Sequence, residues 1–265
     1  MVRRYALCCF IVIVLVANFS WANERILTTS EAPTNYQEKG KITGTTTEIV
    51  QEILRLLESD TKIEMLPWAR VMNLMARSEN IIAFTAGKSP ERVKHGYHFL
   101  GPVSTRKHIL WKRKNSDITI NSLDQVVSQG LSIGIMKADW RARYFQEKGA
   151  NVHETTSHAQ SLRKLVRNRI DLWVSSDLAV RSLSRQANVD FDTLEVAFVF
   201  QQAPSYIMFS KNSSPKLQKR WQEAFKQIQE SGFMQKLADD WSRKLNIPFA
   251  YSNKDGLYVL SGTNN

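Results

Sequence analysis

Apolar positions along the chain follow two spacings that take turns. Ile26-Leu27-Thr28-Thr29 is a short strand-like run, followed by a loop from Ser30 to Gly44 that holds Pro33, Asn35, Gly40 and Gly44. Thr45-Thr46-Thr47-Glu48 then predicts a capping box, with Thr45 accepting from the backbone and Glu48 reaching back. Ile49, Ile53, Leu56 and Leu57 follow at helical spacing. Lys62 to Leu66 alternates as a strand does, Pro67 suits the first turn of a helix carrying Val71, Leu74 and Met75, and Asn80 to Phe84 reads as a buried strand. The rhythm returns later. Leu131 to Ile135 predicts a strand and Trp140 to Gly149 a helix. Ser157-His158-Ala159-Gln160 predicts a second capping box, ahead of Leu162, Leu165 and Val166, and Ile170 to Val174 another strand. After Ala203-Pro204 the pattern predicts a strand over Ser205 to Phe209. A helix follows with Leu217, Trp221, Ala224, Phe225 and Ile228 on one stripe. Ser231-Gly232 breaks it before a last helix with Phe233, Leu237 and Trp241. The polar tail from about Tyr251 is assigned no element.

Strands alternating with helices indicate an α/β fold with right-handed crossovers. The pattern contains no internal repeat and no low-complexity linker, so two lobes would have to be joined by ordered strands.

The first 22 residues break the rhythm. Arg3 and Arg4 precede an apolar run from Tyr5 to about Ala17, and Ser20-Trp21-Ala22 puts small residues where a signal peptidase cuts. The run is shorter than the ~20 residues that span a bilayer, so residues 1–22 are expected to be a cleaved signal peptide and the product periplasmic. Cys8 and Cys9 would leave with it, which excludes disulfides, a cysteine nucleophile and thiolate metal sites from the mature chain. Losing Arg3 and Arg4 takes Lys plus Arg from 36 to 34 against 25 Asp plus Glu, so the formal charge falls from +11 to +9. Export and the lack of aromatics interleaved with basic residues argue against nucleic acid. Lys112-Arg113-Lys114 is expected to be a solvated strand end.

Several stretches resemble one family in order and spacing. They are Gly44-Thr45-Thr46-Thr47-Glu48-Ile49-Val50, Ser89-Pro90-Glu91-Arg92, Phe99-Leu100-Gly101-Pro102, Ile133-Gly134-Ile135, Arg169-Ile170-Asp171-Leu172 and Ser231-Gly232-Phe233-Met234-Gln235-Lys236-Leu237. Together they resemble the bacterial extracytoplasmic solute-binding proteins of family 3, the polar amino acid binders of the periplasmic-binding-protein type II fold. Pro67-Trp68-Ala69-Arg70 resembles a variant among its less characterised members.

That resemblance implies two α/β lobes, each a mixed sheet flanked by helices, joined by two crossover strands and closing over a ligand. Lobe 1 would comprise 23–104 plus 202–265, lobe 2 109–198, and the hinges 105–108 and 199–201. It implies that Arg92 pairs with a ligand carboxylate, a task its two-pronged guanidinium suits. Thr85 and Gly87 would face the same carboxylate. Asp177 would hold the ligand's ammonium, although an N-cap role is open to it. Tyr36 and Trp68 could wall the pocket, and Arg70 could add an anion contact. Lys137-Ala138-Asp139-Trp140 departs from the family's Gly-Ser/Thr segment. Asp139 as an N-cap would compete for the amides that normally meet the carboxylate, which points toward a cationic or differently oriented ligand.

The function expected is capture of a small polar solute, an amino acid or a related amine or carboxylate, by a monomer that delivers it to an ABC permease. No enzyme activity and no cofactor or metal are expected. The alternatives are a dehydratase-like enzyme on the same fold and a sensing module for a membrane partner. An enzyme would draw its acid from Glu154 or from the histidines His95, His98, His108, His153 and His158, which read as surface groups.

Overall fold

The computed structural model describes residues 24–137 and 139–260, so the expected signal peptide lies outside the described residues. The chain opens with β1 (Arg25–Thr28), the hairpin β2 (Tyr36–Glu38) and β3 (Lys41–Thr43), and α1 (Thr45–Leu56). Then come β4 (Ile63–Met65), α2 (Trp68–Arg77), β5 (Ile81–Gly87), the short α3 (Pro90–Lys94) and the long β6 (His98–Arg113). The middle of the chain forms α4 (Leu123–Ser128), β7 (Ser132–Met136), α5 (Trp140–Gln146), β8 (Asn151–Thr155), α6 (His158–Val166), β9 (Leu172–Ser176) and α7 (Val180–Ala187). The chain returns through β10 (Leu194–Phe209), α8 (Pro215–Glu230) and α9 (Phe233–Leu245), ending with β11 (Phe249–Ser252) and β12 (Gly256–Val259).

One mixed sheet carries the fold, in the order β4-β1-β5-β10-β6-β9-β7-β8, with the β11–β12 hairpin attached to β6. β1 runs parallel to β4 and β5, and β7 parallel to β8 and β9. β10 lies antiparallel to both β5 and β6, and β6 antiparallel to β9. Side chains alternate between the two faces of a strand, and the buried residues sort accordingly. Ile26, Ile82 and Phe84 join Ile53, Trp221 and Trp241 on one face, whereas Leu27, Ile81 and Ala83 join Val71 and Met75 on the other. In the middle of the chain Trp111 and Trp173 pack with Leu162 and Leu165, while Leu110, Leu172 and Val174 pack with Ile133 and Phe145. Helices on both faces of the sheet follow from this division. Between Val103 and Ile109 the apolar clusters change membership, and β6 there presents Arg106, Lys107 and His108. The segments expected as hinges, 105–108 and 199–201, are paired rungs inside β6 and β10.

Five expectations are corrected. Helix α1 has no capping box: Gly44 is its N-cap, with no side-chain cap bond. The amides of Thr45, Thr46 and Thr47 donate instead to the carbonyls of Pro33 and Thr34 at 3.0 to 3.3 Å. Those orphan donors need acceptors, and here the preceding loop supplies them from its backbone. Close approach requires glycine at this position, because a Cβ on Gly44 would lie 2.3 Å from the Thr34 carbonyl oxygen. The second cap does form, with Ser157 accepting from the Gln160 amide at 3.1 Å, but the Gln160 side chain reaches back to Thr156 instead of Ser157. β10 does not start after Pro204; it runs through that residue as one strand, opposite Thr105. Residues beyond Tyr251 complete the hairpin whose Leu257 pairs with Ser104. Lys112 is likewise engaged, its ammonium donating to the carbonyls of Ser116 and Ile118 at 3.0 and 2.9 Å.

Candidate functional site

Two cavities border the polar middle of β6 and β10. The first, about 820 Å³, is lined by Gly87, Ser89, Arg92, His95 and Tyr97 from the β5–α3 region, by Met72 of α2, and by Gln201 to Pro204 of β10. The second, about 480 Å³, gathers Glu31 and Ala32 from the loop after β1, Arg106 and His108 from β6, Met136, Asp139, Trp140 and Arg141, His158, and Ser176 and Leu178. Gln201 is the ladder partner of His108 and Ala203 that of Arg106. Opposed residues share a face of the sheet, so the two cavities meet along the same rungs.

Arg92 is held from three sides. Ser89 caps α3 and accepts from the Arg92 amide at 3.2 Å, which fixes the turn. The guanidinium donates to the Gly87 carbonyl at 2.6 Å, and its central carbon stands 5.3 Å from the centre of the Trp68 ring. Half-burial lowers the Arg92 pKa by desolvation, opposed by Tyr97 and Glu91. A guanidinium short of water, with no carboxylate hydrogen-bonded to it among the described residues, is suited to receive an anion. Arg92, Gly87 and Trp68 thus stand together, and Arg92 and Gly87 line the first cavity, whereas Trp68, expected as a pocket wall, lines neither. Gly87 ends β5 opposite Ser205 and offers its backbone.

Thr85 is placed differently. Its φ of 63° is unusual for a β-branched residue, and its hydroxyl donates to the side-chain oxygen of Asn35, a buried residue of the first loop. Tyr36 packs edge-on against Trp241, 6.5 Å between centroids, and Arg70 is exposed near Glu64. Neither these three residues nor Asp177 lines either cavity.

Asp177 follows β9 and is buried; one oxygen accepts from the Leu178 amide at 2.8 Å and the other has no partner. Desolvation raises its pKa to about 6, against the pull of backbone amides and of Arg106 and Lys107. Its neighbour Ser176 is the residue that reaches the second cavity.

In that cavity Asp139 caps α5, accepting from the Arg141 amide at 3.0 Å, and the Arg141 side chain donates to both its carboxylate oxygens, from Nε at 2.9 and 3.0 Å. Burial raises the Asp139 pKa while these bonds lower it, and the net result lies below the ordinary carboxylate value. Arg106 pairs with Glu31 across the cavity mouth. His108, expected on the surface, is 8% exposed. Desolvation, with Arg141 and Arg106 nearby, lowers its pKa to about 4 and keeps it neutral. Half-buried His158 is lowered by desolvation and by Arg141. Glu31, Arg106, His108, Trp140, Arg141, His158 and Ser176 were not singled out as ligand contacts. The one local signal was the departure at Lys137 to Trp140. Among the described residues no cluster of His, Cys, Asp and Glu is suited to hold a metal ion, and no helix is long and apolar enough to cross a membrane.

The family model for bacterial extracellular solute-binding proteins, family 3, matches residues 25–244. A probable amino-acid-binding protein of Bacillus subtilis, YxeM, is 20% identical over 215 residues, covering 79% of each chain. The unliganded, open form of the L-cystine solute receptor of Neisseria gonorrhoeae superposes with a TM-score of 0.62 at 19% identity, covering 82% of this chain and 91% of that one. A structure from work on glutathione import through GshT and the cystine ABC importer TcyBC of Streptococcus mutans also reaches 0.62, at 20% identity, covering 88% and 99%. These likenesses establish a periplasmic-binding-protein type II fold.

Proposed function

Because the chain belongs to family 3 of the bacterial extracellular solute-binding proteins, we propose that it captures a small amino acid or related amine or carboxylate in the periplasm and hands it to an ABC permease. Relatives in the family are binding proteins, and the B. subtilis relative is described as a probable amino-acid-binding protein. One observation carries the ligand class: the guanidinium of Arg92, half-buried beside the first cavity, is pinned by the Gly87 carbonyl and the Trp68 ring, neither of which is a carboxylate.

Capture would proceed by closure. Residues 23–104 with 202–265 would form one lobe and 109–198 the other, bending at 105–108 and 199–201. The polar rungs there support this reading, since the apolar clusters change on either side of them. Closing would expel water from the groove and strengthen the bond between Arg92 and a ligand carboxylate. A micromolar Kd requires only about 8 kcal/mol, within reach of one such bond and a buried ring.

Isothermal titration of the purified chain against amino acids, amines and small carboxylates tests this. At least one α-carboxylate solute is expected to bind, and Arg92→Ala is expected to weaken it by about tenfold or more. Binding by none of the panel to the folded chain would refute the proposal.

A further inference from the structure

Trp140 is a large apolar side chain left 51% exposed, at the first position of α5 on the wall of the second cavity. It is held by an aromatic layer. Its ring meets His108 edge-on at 5.3 Å and Tyr144 at 6.0 Å. Behind these, Phe200 stacks on Tyr144 at 5.8 Å and packs against Phe145 at 4.9 Å. The indole is therefore braced, while half of its surface has nothing packed on it. An exposed, braced aromatic at a concave site is a stacking wall for a ligand.

The charged groups around it are already matched. Arg141 answers Asp139 within α5, and Arg106 answers Glu31 across the mouth. The cationic ligand suggested by the Asp139 substitution needs a free carboxylate there, and the two carboxylates among the described lining residues, Glu31 and Asp139, are both paired. Three buried polar atoms of the residues lining this cavity have no hydrogen bond: Nε of Arg106, whose charge Glu31 already answers, and Nδ1 of His108 and of His158. A buried polar atom without a partner costs free energy that a bound group can recover. Desolvation first, and then Arg141, lower the pKa of both rings, with Arg106 adding to the effect at His108 and Asp139 opposing it at both.

We propose that the second cavity is a side-chain subsite for a flat, uncharged ring bearing a hydrogen-bonding nitrogen or oxygen, with Trp140 as its stacking wall and His108 and His158 as its polar contacts. The assignment rests on the amino-acid reading above and narrows it. Arg92 takes the carboxylate end, and the subsite selects tryptophan, tyrosine or neutral histidine over arginine, lysine or glutamate. A guanidinium or ammonium would have to displace an existing ion pair to find a counter-charge there.

The test is titration calorimetry at pH 8 of the full chain, Trp140→Ala and Trp140→Phe against those six amino acids, with circular dichroism melts to check folding. Trp140 is exposed enough that neither variant should unfold. The ring-bearing solutes are expected to bind about tenfold or more tightly than the charged ones. Trp140→Ala should weaken them by about tenfold and Trp140→Phe by no more than about threefold. Tightest binding of arginine, lysine or glutamate, or an effect of Trp140→Ala smaller than about twofold, would overturn the subsite and leave the solute-binding role standing. Binding of none of the six would remove the subsite as assigned; failure across the broader panel as well would remove the solute-binding role with it.

Discussion

His108 is the ladder partner of Ser176, the residue before Asp177, and the titrations of His108 and Asp177 are displaced in opposite directions. The carboxyl of Asp177 moves up from 3.8 to about 6 in the folded chain, so folding disfavours its charge. The resulting penalty is fully present above pH 6 and is lifted as pH falls toward 4. His108 moves down from 6.5 to about 4, so folding disfavours its protonation, and the penalty accrues over the same fall. The two trends offset each other, and a thermal melt of the wild type should change little between pH 6.5 and 4 on their account. Asp177→Asn should stabilise the chain by roughly 1 to 3 kcal/mol at pH 7. That variant should then lose stability steeply on acidification, whereas His108→Gln should gain it. Melts by circular dichroism at half-unit pH steps check this, and parallel curves for the three proteins would contradict it. At this scale the sequence was legible where chemistry is local. Ser89, Arg92 and Gly87 lie within six consecutive residues and meet in the structure. His108 was misjudged because its burial comes from Phe200 and Trp140, far along the chain.

Among elements, periodicity located α1, α2, α5, α6, α8 and α9 and about half of the strands, passed over α3, α4, α7 and the long β6, and missed what depends on distant backbone. Thr45 to Glu48 has the composition of a capping box, but the carbonyls of Pro33 and Thr34 reach the amides first. Pro204 can sit inside β10 because a strand tolerates proline where its missing N–H is not required. The terminal hairpin was invisible because its seat is β6: Gly256, at φ +66°, lies so close that a Cβ would stand 2.3 Å from the Val103 carbonyl carbon. The Thr105 hydroxyl donates to the Asp255 carbonyl at 2.7 Å on the same seat. Gly256→Ala is therefore expected to cost several kcal/mol, on the order of 3, because backbone on both sides must move. Gly87→Ala should be near neutral for stability, its Cβ having only the Arg92 guanidinium at 3.9 Å. Urea unfolding of the two variants separates them; similar midpoints would refute the seat.

For the whole molecule, the alternation of strand and helix sufficed to predict an α/β fold, while the single sheet that continues through β10 and β6 could not be read locally. If the segments around those rungs bend, saturating ligand should lower the radius of gyration measured by small-angle X-ray scattering, and an unchanged profile with ligand bound would exclude closure. The same two strands also impose an order in time. β5 lies between β1 and β10, and β10 follows it in the chain by more than a hundred residues. Everything from β7 to β9 finds its neighbours close by. As the polypeptide emerges amino end first, this inner stretch holds all its partners while the earlier strands still wait with an open edge, so the part begun first is the part finished last.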